Sequence, residues 1–80
     1  MAFPLIDMYA TGQRINTVRK EKGISIKDMM MYFGFKNPNS LYKWFRGESL
    51  PSLDNMFALS LLLGVSVNDL MVSMPSSIAI

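Results

Sequence analysis

The stretch YFGFKNPNSLYKWFRG, residues 32–47, makes two conflicting demands on one short piece of chain. Its second half carries Leu41, Tyr42, Trp44 and Phe45, enough apolar surface for a core helix. Asn37, Asn39, Ser40 and Lys43 are interleaved with them, and burying such groups without partners is costly. A helix that turns Leu41, Trp44 and Phe45 inward resolves the conflict, because the amides, hydroxyl and amine then stay in solvent. Asn37 is a good N-cap for that helix, and Pro38 has the fixed φ suited to a first turn. Just upstream, Ile26, Met29, Met30 and Phe33 follow the i, i+3, i+4, i+7 rule of a preceding helix. Gly34 stands between the two patterns, where a tight joint needs positive φ. Two short helices about such a joint make a helix-turn-helix.

The remaining chain extends the same pattern. A first helix is expected over residues 11–22, with Ile15 and Val18 inward and Arg14, Arg19 and Lys20 solvated. Ser25 with Asp28 three residues on forms a short-armed capping box at the start of the second helix. Ser52 opens a fourth helix running to Leu63, whose inward residues are read as Leu53, Met56, Phe57 and Leu61. Ser66 and Asp69 repeat the capping pattern before a short last helix carrying Val67, Leu70 and Met71. Gly23, Gly34, Gly47 and Gly64 each follow one of these patterns, where a left-handed residue ends a helix. Strand-like alternation is absent outside the two termini. The expected fold is all-α, a compact five-helix bundle. Residues 1–10 read as an apolar N-terminal arm, packed on its own domain or exchanged with a second chain. Residues 11–73 form the domain, and 74–80 a C-terminal tail.

Composition narrows the chemistry. Eighty residues suffice for one small domain. Cys and His are both absent, so disulfides, thiolate metal sites and the commonest general base are excluded. The six acids, Asp7, Glu21, Asp28, Glu48, Asp54 and Asp69, form no recognisable catalytic pair, so neither an enzyme nor a bound cofactor is expected. The longest apolar run, residues 56–67, is interrupted by Ser60, Gly64 and Ser66 and falls short of the ~20 residues of a membrane span. The N-terminus does not resemble a secretion signal, and a cytoplasmic location is expected. All eight basic residues lie within 12–48, offset there only by Glu21, Asp28 and Glu48. That half is suited to a polyanion. After residue 55 the sole charge is Asp69, against Leu59, Leu61, Leu62, Leu63, Val65, Val67, Leu70, Met71, Val72, Ile78 and Ile80. One small core cannot cover all of these, so an apolar face is expected to join two copies of the chain or to take a protein partner.

The polar residues of the opening stretch then read as a surface for double-stranded DNA. An α-helix fits the major groove, where Asn can pair bidentately with adenine, and free amides at a helix start favour a phosphate. The whole segment GQRINTVRKEKGISIKDMMMYFGFKNPNSLYKWFRGESLPSLDNMFALSLLLGVSVNDLM, residues 12–71, resembles the lambda-repressor-like, Cro-type (XRE) family of helix-turn-helix DNA-binding domains. Its strongest elements are RKEKGIS, Gly34, and the run from Leu41 to Leu70. The resemblance implies a recognition helix at about 38–46, a transcriptional regulator (a repressor by expectation) and two-fold dimers on palindromic operators. It places Asn39, Ser40 and Lys43 at base-reading positions and Arg46 at a phosphate contact. Lys27, Lys36 and Asn37 complete the expected phosphate contacts, Lys27 standing in for a Gln the family often has where this chain has Ile26. The loop from Gly34 to Leu41 is one residue longer than the commonest pattern, and Met30 replaces a usual small Ala. A protein-interaction module of antitoxin or anti-repressor type is the alternative on the same fold.

Overall fold

In the computed structural model, which describes residues 4–75, five helices follow in chain order: α1 Met8–Glu21, α2 Ile26–Phe33, α3 Asn39–Phe45, α4 Leu53–Leu63 and α5 Val67–Leu70. Every helix contributes to one core: Ile15 and Val18 from α1, Met29 from α2, Leu41, Trp44 and Phe45 from α3, Met56, Leu59 and Leu63 from α4, and Leu70 from α5. The all-α five-helix architecture is therefore present. No helix among the described residues is long and apolar enough to cross a membrane.

The caps behave as their chemistry dictates. Ser25 accepts from the Asp28 N–H at 3.0 Å while the Asp28 carboxylate accepts from the Ser25 N–H at 3.0 Å, a reciprocal capping box. Ser66 and Asp69 repeat it at α5, both at 3.1 Å. Ser52 caps α4 through the Asn55 N–H at 3.1 Å. Helix α1 begins at Met8 rather than at residue 11, because Asp7 accepts from the Ala10 N–H at 2.9 Å and starts the helix early. Helix α3 is regular only from Asn39, so the N-cap is Pro38, without a side-chain cap bond, rather than the expected Asn37; Asn37 instead holds the turn before the helix, its Oδ1 accepting from the Asn39 N–H at 3.0 Å.

Two other expectations give way. On α4 the buried face is Met56, Leu59, Ser60 and Leu63, whereas Leu53 is 84% exposed, Phe57 60% and Leu61 64%. The helix is apolar on nearly every side, so periodicity leaves the inward face open and neighbouring helices choose it. On α1, Arg14 and Arg19 are not simply solvated. Arg14 Nε donates to the Asp69 carbonyl, and Arg19 donates to the Ile24 carbonyl at 3.1 Å with its guanidinium 5.4 Å from the centre of the Phe45 ring.

The N-terminal segment packs on its own domain. Ile6 faces Ser73 in a short antiparallel pairing, with the Asp7 N–H donating to the Val72 carbonyl and the Met74 N–H to the Leu5 carbonyl, each at 2.8 Å. Thr11, fully buried, holds the same junction: its Oγ1 accepts from the Val72 N–H at 3.0 Å. Residues 76–80, and with them Ile78 and Ile80, lie outside the described residues.

The tightest packing is where α1 crosses the end of α3. A methyl group on Gly12 would lie 1.9 Å from the Trp44 carbonyl oxygen, which is impossible without parting the helices. Gly12→Ala is accordingly expected to destabilise the domain by about 3 kcal/mol. Urea unfolding checks this, and a midpoint equal to the parent's would mean that α1 does not approach α3 as described.

Candidate nucleic-acid interface

Helix α3 has seven residues, too few to be stable alone. Its shape is imposed from both ends and one side. Towards α2, Phe33 stands edge-on to Trp44 with centroids 5.6 Å apart, and Phe35 from the connecting turn stacks on Phe33 at 5.3 Å and meets Trp44 at 5.9 Å. These three rings bind the two helices of the motif together. The turn between them begins with Gly34 at φ +74, and the Phe35 N–H closes back on the Met30 carbonyl at 2.9 Å.

At the far end, Gln13 reaches across from α1 and its Nε2 donates to the Phe45 carbonyl at 2.9 Å, filling one of the acceptors a helix end leaves open. Gly47 takes φ +73 and lies so close to α1 that a methyl on it would be 2.7 Å from the Tyr9 Cα. The sequence reading missed Gln13, since a polar residue on a basic helix reads as solvated. No local pattern would have revealed it.

With Leu41, Trp44 and Phe45 buried, α3 presents Asn39, Tyr42 and Lys43 to solvent, and Arg46 follows in the same row. The spacing is i, i+3, i+4, i+7, so the four side chains share one face. Ser40 is exposed beside it, nearer the Trp44 flank. Asn39, Ser40 and Lys43 thus emerge together on the outer side of α3. Tyr42, 42% exposed and edge-on to Phe45 at 6.3 Å, was overlooked among the core aromatics; its place three residues after Asn39 was the available signal. Lys36 and Asn37 are exposed in the turn, and Lys27 is exposed in the first turn of α2. Asn37 spends its carbonyl oxygen on the turn bond to the Asn39 N–H and keeps its amide NH₂ for other partners.

Arg46 is the exception among these cations, because its guanidinium is already bonded to the Glu48 carboxylate. The pair raises the Arg46 pKa and holds Glu48 below the ordinary carboxylate range. Asp28 and Asp69 are held low as well, chiefly by the Ser25 and Ser66 backbone N–H groups of their capping boxes.

Comparison with known proteins identifies the family and the fold. The family model described as Helix-turn-helix matches residues 15–70, and the chain belongs to that XRE family of helix-turn-helix DNA-binding regulators. Among curated proteins no match to the sequence is found. The restriction-modification controller protein C.AhdI from Aeromonas hydrophila superposes with a TM-score of 0.70 at 26% identity, over 80% of this chain and 96% of that one. The clp gene regulator ClgR from C. glutamicum gives 0.68 at 24%, covering 79% and 80%. The S. venezulae BldD DNA-binding domain gives 0.68 at 17%, covering 81% and 96%. The last two show that the fold is shared.

The depressed carboxylates set a pH dependence. Their folded pKa values lie below the unfolded ones, so their stabilisation is fully present above about pH 4 and is lost as pH falls through the folded values. The urea midpoint is expected to drop as pH falls below about 4. A Ser25→Ala, Ser66→Ala double variant should show a flatter profile, and an unchanged profile would remove the capping boxes as its source.

Proposed function

We propose that the chain is a sequence-specific double-stranded DNA-binding repressor acting as a homodimer in the cytoplasm, with α3 in the major groove. The observation that carries the reading is the outer face of α3. Its polar row is backed by buried aromatics on the opposite side, and among the described residues those side chains make no hydrogen bond except that of Arg46 to Glu48, which is exposed. In this reading Asn39, Ser40 and Lys43 meet base edges with Tyr42 beside them. Lys27, Lys36, Asn37 and Arg46 meet phosphates on either flank. A domain seated over a promoter blocks access to it, so repression is the regulatory outcome proposed. Sequences selected from random duplexes supply the operator for the tests.

Asn39→Ala is expected to cost about 1–3 kcal/mol at one base pair of that operator while leaving affinity for random duplex nearly unchanged. Competition binding with single-base operator variants measures it. Equal loss on both kinds of DNA would make Asn39 a phosphate contact instead.

The homodimer is supported by apolar surface on α4. Leu53, Phe57 and Leu61 form an exposed ridge along α4. Beside it lies a groove of about 210 Å³ lined by Ile6, Leu50, Pro51, Met56, Val67 and Met71. Ridge and groove meet at Leu53, which also lines the groove, so two copies related by a two-fold axis can each seat a ridge in the other's groove. A protein partner seated on the same surface, in antitoxin or anti-repressor fashion, is the competing reading. Sedimentation at micromolar concentration should give a two-chain mass for the parent. Phe57→Lys, at a site already 60% exposed, should give a folded monomer that occupies palindromic DNA without cooperativity. A parent that is monomeric with and without DNA overturns the dimer.

A further inference from the structure

Glu48 brings a carboxylate to the two cations that α3 offers, Lys43 and Arg46. Backbone geometry puts it there. With Gly47 left-handed, the Gly47 N–H donates to the Trp44 carbonyl at 3.1 Å and the Glu48 N–H to the Lys43 carbonyl at 2.9 Å. This pair of bonds is a Schellman turn, which folds the chain back over the last turn of its own helix. The Glu48 side chain then meets Arg46 Nε, forming the one ion pair among the described residues. Lys43 lies within reach of its field as well.

The fold has little need of this contact. The two side chains are 58% and 51% exposed, and exposed pairs contribute little to stability. Its consequence lies in binding. A guanidinium offers the same donor fork to a carboxylate and to a phosphate, and Arg46 can turn its Nε to only one of them at a time.

We infer that Glu48 is an intramolecular competitor of the DNA phosphate for Arg46, so that binding exchanges an arginine–carboxylate contact for an arginine–phosphate contact. The inference rests on the DNA-binding reading above. Since phosphates carry no sequence, the exchange lowers affinity for all duplexes alike. Its effect is to restrain the electrostatic binding that any basic surface shows towards the large excess of non-specific sites. Glu48 is thus a determinant of affinity placed outside the base-reading row.

Glu48→Gln keeps the shape and an acceptor for Arg46 while removing the charge. On random-sequence duplex at low salt it is expected to bind more tightly than the parent. Removing any nearby carboxylate also lessens repulsion, so Arg46→Ala and the double variant decide the matter. The gain from Glu48→Gln should be about two- to fivefold smaller when Arg46 is absent. An equal gain in both backgrounds overturns the competition, leaving Glu48 only a general field. Weaker binding by Glu48→Gln also overturns it, and would make Glu48 a group that positions Arg46. A parent that binds no duplex at low salt overturns the DNA-binding reading and this inference together, which separates that failure from the other two.

Discussion

The close crossing of α1 over the C-terminal end of α3 is the constraint on which the candidate interface depends. Gly12 admits the Trp44 carbonyl where any side chain would collide, and Gly47 admits the backbone of Tyr9. Gln13 supplies the hydrogen bond that the crossing makes available, to the Phe45 carbonyl. Two backbones brought this near cannot roll against each other, because the side chains flanking the contact are fixed as well. The roll of α3 is therefore set by α1, and that roll decides that Trp44 faces the core while Asn39 and Lys43 face solvent. A seven-residue helix lacks the internal stability to make that choice.

Where a residue's role is settled by its near neighbours in sequence, the sequence alone was enough to read it. Ser25 with Asp28 and Ser66 with Asp69 act within four residues, and their boxes form as written. Gly34 and the Leu41, Trp44, Phe45 stripe were equally legible, because a tight joint and an inward face leave few alternatives. Roles settled across the fold were not. Gln13 and Arg14 find acceptors 32 and 55 residues away, and nothing in their local sequence distinguishes them from solvated side chains. The face of α4 failed for a different reason. A helix apolar on nearly every side carries little period, so Leu53, Phe57 and Leu61 could not be told from Leu59 and Leu63 until α5 had taken its place against them. Tyr42 was hidden by its company, one aromatic among three of which two are core.

The molecule is divided by the same packing. Lys36, Lys43 and Arg46 stand exposed about the turn and the end of α3, and the apolar ridge runs along α4 beside the groove that Ile6, Val67 and Met71 line. Between them, the paired segments Leu5–Asp7 and Val72–Met74 tie the N-terminal segment to the chain following α5, with buried Thr11 supplying both a donor and an acceptor to Val72. Burying a hydroxyl without partners is costly, so a fully buried Thr held to one residue's N–H and C=O marks a junction with little freedom to shift. A surface on α4 and α5 is therefore coupled rigidly to α1, and through α1 to α3. Anything that pairs two copies through the ridge would fix the separation of their two α3 helices, and separation is the quantity that successive major grooves, about 34 Å apart, select.

This arrangement also separates the residues that hold the fold from those free to change. Asn39, Ser40 and Lys43 contribute exposed side chains with no intramolecular hydrogen bond among the described residues, so substitutions there leave the core untouched. Their immediate neighbours do not share that freedom: Asn37 holds the turn before the helix, Gly47 turns, and Trp44 carries the aromatic cluster. Glu48 and Arg46 fall between the two groups, bonded to each other yet both half in solvent. If α3 reads DNA as proposed, a change at the first group alters what is read, whereas a change at the second alters whether the helix is presented at all. The intermediate pair then alters neither the reading nor the fold, and what remains to it is the strength with which the surface holds an anion.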